Sequence, residues 1–108
     1  MSTVKTDAIT AVSTNGDLSL DGLGTGGVSI ASTLKMTKGG DISSASPTVI
    51  DSDGDYFALT GTTSFSVFTV TAGRRFTLNF DSALTMTHHA STLDLPAGGA
   101  NITTAAGD

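Results

Sequence analysis

The chain has 108 residues, a formal net charge of −5 and no cysteine. This length suits one compact domain or two small modules, and the missing cysteines exclude disulfides and thiolate metal sites. Five Lys and Arg residues exclude the basic surface of a nucleic-acid-binding protein, and no apolar run reaches the roughly 20 residues that cross a bilayer. The first residues show no signal-peptide pattern, so we expect assembly in a cytoplasm without membrane insertion.

Composition favours strands over helices throughout the chain. All ten acidic residues are Asp, and charged residues make up 14% of the chain, against about 25% in ordinary globular domains. Serine, threonine and glycine take the place of the strong helix formers Glu and Lys. No stretch shows helical periodicity, so the sequence predicts an all-β fold.

The first 45 residues predict only short strands, at 9–12, 17–21 and 28–30. Turn signals separate these strands at Asn15-Gly16, Gly26-Gly27 and Gly39-Gly40. Each strand offers two inward apolar positions, and an isolated hairpin of this kind is marginal in water.

Oligomerisation is the simplest way to cover such small apolar faces, because the chain has no cysteine that could stabilise them through a disulfide bond. Like chains that wrap about one axis would share an interior and pair their exposed strand edges. We therefore predict that residues 1–45 form a thin Gly/Thr-rich β-shaft. Its shared core would consist of Leu18, Leu20, Val28, Ile30, Leu34 and Met36.

Longer strands and all the aromatic residues follow a boundary near residues 43–47. Strands are predicted at 55–60, 65–71, 75–81, 83–87 and 91–95, with a last one around Ile102. The apolar parity changes between Val67 and Phe68, which indicates a bulge or a strand buried on both faces. Strands that recur every 8 to 12 residues predict a compact antiparallel, β-sandwich-like module over residues 48–108.

Two longer stretches carry a resemblance to a known family. The first is NGDLSLDGLGTGGVSI with STLKMTKGGDI, and the second is FTLNFDSALTMTHHASTLDLPAGGANITTAAGD. They resemble, respectively, a shaft repeat and a module near the end of fibre proteins of bacteriophages, especially marine and cyanobacterial phages. The two stretches cover most of the chain from about Thr14, and the second is the more specific because it keeps fixed spacings over a long segment.

The resemblance implies a non-enzymatic structural fibre protein of a virion, in a tail or head fibre, that serves attachment and display. It implies a homotrimer assembled in the host cytoplasm, with other virion proteins and a host surface glycan or receptor as partners. In that trimer, residues 1–45 would be the shaft or a virion-docking segment, and their shared core would be the trimer core. This chain departs from the family in two places. The family usually continues past the A-A-G-D at residues 105–108, and it often has His-Asn where this chain has His88-His89.

Two other functions stay open at this point. A carbohydrate-binding or depolymerising spike domain would need a groove with exposed aromatic residues and paired carboxylates. A capsid decoration protein would share the physical properties of a fibre protein and differ only in where it docks.

The sequence Asp51-Ser52-Asp53-Gly54-Asp55 is a candidate calcium loop, because Asp51, Asp53 and Asp55 could converge on a hard cation. The rest of an EF-hand is missing, since position 6 is Tyr56 and position 12 is Thr62. A solvated acidic turn is the competing interpretation, and we predict no bound metal and no cofactor.

Three other local patterns have a structural and a functional interpretation. His88-His89 predicts a hairpin turn, or a metal site with one His from each chain of a trimer. Arg74-Arg75 predicts a soluble turn, or a contact with an anionic sugar or a virion protein. The glycines between Gly22 and Gly27 lack the Lys of a phosphate-binding loop.

No residues predict catalysis. The Asp residues lie beside glycines in turns, and the chain has no G-x-S-x-G sequence. Tyr56 and the five Phe residues alternate with polar residues, which predicts core packing in preference to a carbohydrate platform.

Overall fold

The computed structural model describes residues 3–108, apart from the side chain of residue 97, so residues 1 and 2 of the predicted shaft lie outside it. Contacts divide the chain into two units, Met1–Leu34 and Lys35–Asp108. The prediction of an all-β fold is confirmed, since seven strands and one four-residue helix are the regular elements of the described residues. They are β1 (Ile42–Ser43), β2 (Thr48–Val49), β3 (Tyr56–Thr60), β4 (Phe68–Thr69), β5 (Thr77–Phe80), β6 (Thr85–Met86), α1 (Pro96–Gly99) and β7 (Ile102–Thr103).

The first unit contains turns but no strand in its described residues 3–34. The N–H of Gly16 donates to the carbonyl of Ser13 at 3.0 Å, with Asn15 in the left-handed region at φ +60°. A second turn brings the N–H of Gly26 to the carbonyl of Leu23 at 3.1 Å. The predicted strands on either side of these turns are not formed in the single chain, because nothing pairs with them or covers their two apolar positions.

The second unit begins at Lys35, about ten residues before the predicted boundary near residues 43–47. The reason is β1, which pairs Ile42 with Leu59 of β3 and so belongs to the sheet of the second unit. Residues 35–45, which we assigned to the shaft, therefore lie in the second unit.

Parallel pairing dominates the second unit. One sheet has the order β1-β3-β5 and another the order β2-β4, and all three of these pairings are parallel. Only β6 and β7 are antiparallel among the paired strands of the described residues. The prediction of an antiparallel sandwich-like module is wrong here, because alternation shows which face of a strand is buried but not which strand lies beside it.

The parallel strands stack as three successive coils, which we call coil 1 (residues 38–50), coil 2 (residues 56–70) and coil 3 (residues 77–86). Coils 2 and 3 pair Tyr56 with Thr77, Leu59 with Phe80, and Phe65 with Met86. In each of these three pairs the partner is 21 residues further along the chain, so equivalent residues of coils 2 and 3 lie side by side. The second unit is thus a short parallel β-solenoid, in which each coil contacts its neighbours along one axis.

A bulge marks the start of coil 1. Lys38 pairs with Tyr56 and Ile42 pairs with Leu59. Coil 1 therefore advances four residues where coil 2 advances three. The extra residue falls at Gly39-Gly40, which we predicted to be a turn. A Cβ at Gly39 would lie 2.2 Å from Cε1 of Phe57, so only glycine lets the two coils approach this closely.

The core lies inside the stacked coils. It consists of Ile42, Ile50, Phe57, Leu59, Phe65, Phe80 and Leu84, with partly buried apolar residues packed against it. The rings of Phe65 and Phe68 lie 4.9 Å apart between centroids, and those of Phe68 and Phe76 lie 5.3 Å apart. The alternation of apolar residues shifts after Val67 because the chain bends there between two strands of coil 2. Phe65 lies at the bridge to Met86 before the bend, and Phe68 lies in β4 after it.

Serine hydroxyls join the coils at their corners. The Ser44 hydroxyl accepts the N–H of Thr63 at 3.0 Å, and the Ser64 hydroxyl accepts the N–H of Thr85 at 3.0 Å. Short polar side chains thus replace strand hydrogen bonds where the backbone bends.

The residues after coil 3 close its end. The buried Thr104 hydroxyl donates to the carbonyl of Ser82 at 3.0 Å and accepts the N–H of Leu84 at 3.1 Å. The N–H and carbonyl of Phe80 bond to the backbone of Asp108 and Gly107, each at 2.7 Å. The helix α1, which the sequence did not predict, begins at Pro96, where a missing N–H costs no hydrogen bond.

Candidate functional site

The six residues of the predicted trimer core are all exposed in the single chain. Their exposed fractions run from 47% for Met36 to 73% for Leu34. About half or more of each side chain therefore contacts water, in contrast with the core residues of the second unit. A concentration of exposed apolar side chains is typical of an interaction surface.

The acidic loop at residues 51–55 holds the coils together instead of gathering carboxylates. The carboxylate of Asp53 accepts the N–H of Gly40 at 2.9 Å and thus ties the loop to the bulge of coil 1. Gly54 lies against the same bulge, and a Cβ there would be 2.3 Å from the backbone nitrogen of Gly39. No cluster of three or more His, Cys, Asp or Glu side chains that could hold a metal ion occurs in the described residues.

The guanidinium of Arg74 binds two backbone carbonyl oxygens of this loop. Arg74 donates from Nη1 to the carbonyl of Asp51 at 2.6 Å and from Nη2 to the carbonyl of Gly54. Its Cζ lies 5.8 Å from the centroid of the Phe57 ring, within the range of a cation–π contact. We call Arg74 with the loop Asp51–Gly54 the arginine clamp.

The arginine clamp was not predicted from the sequence. Arg74 follows a turn in which its N–H bonds to the carbonyl of Thr71 at 3.3 Å, as expected for a turn residue. The sequence gives no sign, however, that the side chain reaches back about one coil to residue 54. Arg75 beside it is exposed, so the two arginines, which we treated as one pattern, differ in role.

The two histidines lie at the hairpin that the sequence predicted. His89 and Leu93 exchange backbone hydrogen bonds of 2.8 and 3.0 Å, and the ring of His89 bonds to Ser91. The ring of His88 is half-buried, accepts the N–H of Leu95 at 3.2 Å and lies 3.7 Å from the Asp94 carboxylate. Each ring therefore has its own local hydrogen-bond partner.

A small open pocket follows the serine corners. It has a volume of about 150 Å³ and is lined by Ser46, Ser64, Phe65, Ser66 and Thr87. No carboxylate lines it, and Phe65 is almost wholly buried in the core. Ligand pockets for small molecules are typically about 300–1,000 Å³, so this one is small.

The five Phe residues pack as the sequence predicted, but the prediction of core packing for Tyr56 is wrong. Three Phe residues are buried in the core and the other two pack against it. Tyr56 is the one aromatic side chain that is more than a third exposed among the described residues. The glycine run at Gly22–Gly27 forms a tight turn, in which a Cβ at Gly22 would lie 2.2 Å from the carbonyl oxygen of Gly26.

Comparisons with protein-family models, curated proteins and solved structures found no match to this chain. In the described part of the chain, no helix has the length and apolar character needed to cross a membrane. An interpretation of function therefore depends on the geometry above and on the resemblance of the two sequence stretches.

Proposed function

We propose that this chain is a structural fibre protein of a bacteriophage virion, active in attachment and display as a homotrimer. The exposed apolar residues of the first unit are the observation that carries the proposal. Leu18, Leu20, Val28 and Ile30 alternate with polar residues, as strand residues with one buried face do, yet 48–64% of each is exposed in a single chain. Copies of the same segment are the partners that match them in length and pattern.

The second unit supports the same proposal in a different way. A stack of parallel coils is a rod-like architecture whose stability comes from neighbouring layers, which suits a fibre. The Asp and Arg side chains of the arginine clamp hold coils together, so we assign them to stability and not to chemistry. The fibre would be assembled in the host cytoplasm and incorporated in the virion, with other virion proteins and a host surface receptor as its partners.

Multi-angle light scattering tests the trimer. We expect a mass three times that of the 10.8 kDa chain. Replacing Leu20 and Ile30 together with Asp should reduce the mass to that of one chain, because two charges would enter the shared interior. The matched control replaces Val12 and Leu23 with Asp, since both are almost fully exposed but lie outside the predicted core.

A wild-type protein that stays a folded monomer at high concentration would contradict the trimer. The virion location needs a separate measurement, for which antibodies against residues 35–108 and gold-labelled electron microscopy of phage particles suffice. We expect label on projecting fibres. Label confined to the capsid shell would favour a decoration protein, and particles without label would exclude a virion component.

A further inference from the structure

Two neighbouring strands of the solenoid share a six-residue pattern. Residues 56–61 read YFALTG and residues 77–82 read TLNFDS. In both, the second and fourth positions are large and apolar, the fifth is Thr or Asp and the sixth is Gly or Ser. The structure places these stretches side by side, with Phe57 beside Leu78 and Leu59 beside Phe80.

Residues 17–22 carry the same pattern. They read DLSLDG, with Leu18 and Leu20 at the positions of Phe57 and Leu59. The likeness continues beyond the strand, because coil 2 goes on to Phe68 and Val70 and the first unit goes on to Val28 and Ile30. Phe68 comes nine residues after Leu59, and Val28 comes eight residues after Leu20. Residues 17–30 thus have the sequence of one more coil, but the structure forms no strand there.

The solenoid has a place for one more coil. Strand β1 lies at the edge of its sheet with a partner on one side only, and β2 lies at the edge of the other sheet. An edge strand presents unpaired N–H and carbonyl groups that can bind an additional strand. At the opposite edge, the backbone of Phe80 already bonds to Gly107 and Asp108.

We infer that residues 17–22 of a second copy pair in parallel with β1 and add a coil to the solenoid. The inference rests on the proposed trimer, which supplies the second copy. Leu20 lies beside Ile42 in this arrangement, since the equivalent Leu59 lies beside Ile42 and beside Phe80. Asp21 then lies beside Ser43. Three copies form a closed ring when each copy contributes its residues 17–22 to β1 of the next copy.

Cysteine crosslinking tests the pairing, because the natural chain has no cysteine. Asp21→Cys and Ser43→Cys both change exposed residues. Neighbouring strands are about 4.8 Å apart, within the range of Cα separations that a disulfide spans. The two single variants, carrying different affinity tags, are co-expressed, oxidised and separated on a non-reducing gel.

We expect a disulfide between the two differently tagged chains, at least tenfold more abundant than with Ser32→Cys and Ser43→Cys as the control pair. Ser32 is also exposed but lies ten residues beyond the paired segment. The double variant Asp21→Cys/Ser43→Cys should give covalent trimers.

The outcomes separate this inference from the proposed function. A disulfide formed within one chain of the double variant overturns pairing by a second copy. A trimer by light scattering without the Asp21→Cys to Ser43→Cys crosslink also overturns it and leaves the fibre proposal standing. A double variant whose crosslinked product contains two copies instead of three keeps the pairing and contradicts the trimeric fibre.

Discussion

Residues 17–30 and coil 2 have closely similar apolar patterns, yet residues 17–30 form no strand and are exposed while coil 2 is buried. Phe57 and Leu59 are fully buried, whereas Leu18 and Leu20 are about half exposed or more. The difference is in their neighbours, because coil 2 lies between two other coils and residues 17–30 have none. Strands with two inward residues each become stable only when layers of the same kind cover both of their edges.

The largest expected effect comes from truncating Leu59 of coil 2, for which the equivalent Leu20 of the first unit is the matched control. Leu59→Ala should lower the free energy of unfolding of the second unit by about 2–5 kcal/mol, because it leaves a cavity between packed coils. Leu20→Ala should leave the midpoint of that unit's denaturant unfolding unchanged. Urea unfolding followed by tyrosine fluorescence measures both, at a protein concentration where the chain is monomeric. Similar losses in the two variants would show that the first unit has its own core.

Glycine substitutions give the next largest effect. Gly54→Ala puts a Cβ 2.3 Å from the nitrogen of Gly39, and the backbone of coil 1 must move. We expect a loss of about 1–3 kcal/mol in stability, as for other overpacked sites. The control is Gly27→Ala in the first unit, where a Cβ meets nothing within 4 Å. Thermal unfolding by circular dichroism compares them, and an equal melting temperature for the two variants would contradict the close approach of coils 1 and 2.

The closure after coil 3 is tested by its buried hydroxyl. Thr104→Val keeps the shape of the side chain but leaves the N–H of Leu84 and the carbonyl of Ser82 without this partner. We expect a loss of about 1–2 kcal/mol, the usual cost of unpaired buried polar groups. Thr103→Val is the matched control, because Thr103 is exposed and its replacement should change stability by less than about 0.5 kcal/mol.

The smallest expected effect distinguishes the two arginines. Arg74→Met removes the hydrogen bonds to Asp51 and Gly54 while it keeps the apolar contact with Phe57. A loss of about 1 kcal/mol is expected, since the group is partly exposed and water replaces some of the lost bonding. Arg75→Met should have no measurable effect, and hydrogen exchange should increase at residues 51–55 only in the Arg74 variant. Equal behaviour of the two variants would contradict the arginine clamp.

Sequence alone predicted the positions of the strands better than their partners. Alternation located the strands near 56–60, 77–80 and 85–86, because the inward side chains of each strand are apolar. It could not indicate that the partner of Leu59 is Phe80, 21 residues away. A glycine can reverse the chain in a hairpin or bend it between two strands of a coil, and the two cases give different strand partners. Gly61 and Gly73, both at positive φ, lie at corners between parallel strands.

The candidate site shows the same limit more clearly. The acidic residues at 51–55 resemble a cation loop, and a cation does bind there, but it is the side chain of Arg74 from the turn between coils 2 and 3. No local pattern contains that contact, because it depends on the stacking of coils. The exposed leucines of the first unit were identifiable from sequence, since two inward residues for each strand are too few to form a core alone.

The hydrogen bonds at Phe80 also give the molecule a direction. Because the backbone of Phe80 is already bonded to Gly107 and Asp108, β5 cannot take on another strand at that residue, whereas β1 still can. Two copies of the solenoid therefore cannot pair through β5 at Phe80. The turn that holds Asp108 protects this edge of the sheet, as edge protection does in other β proteins.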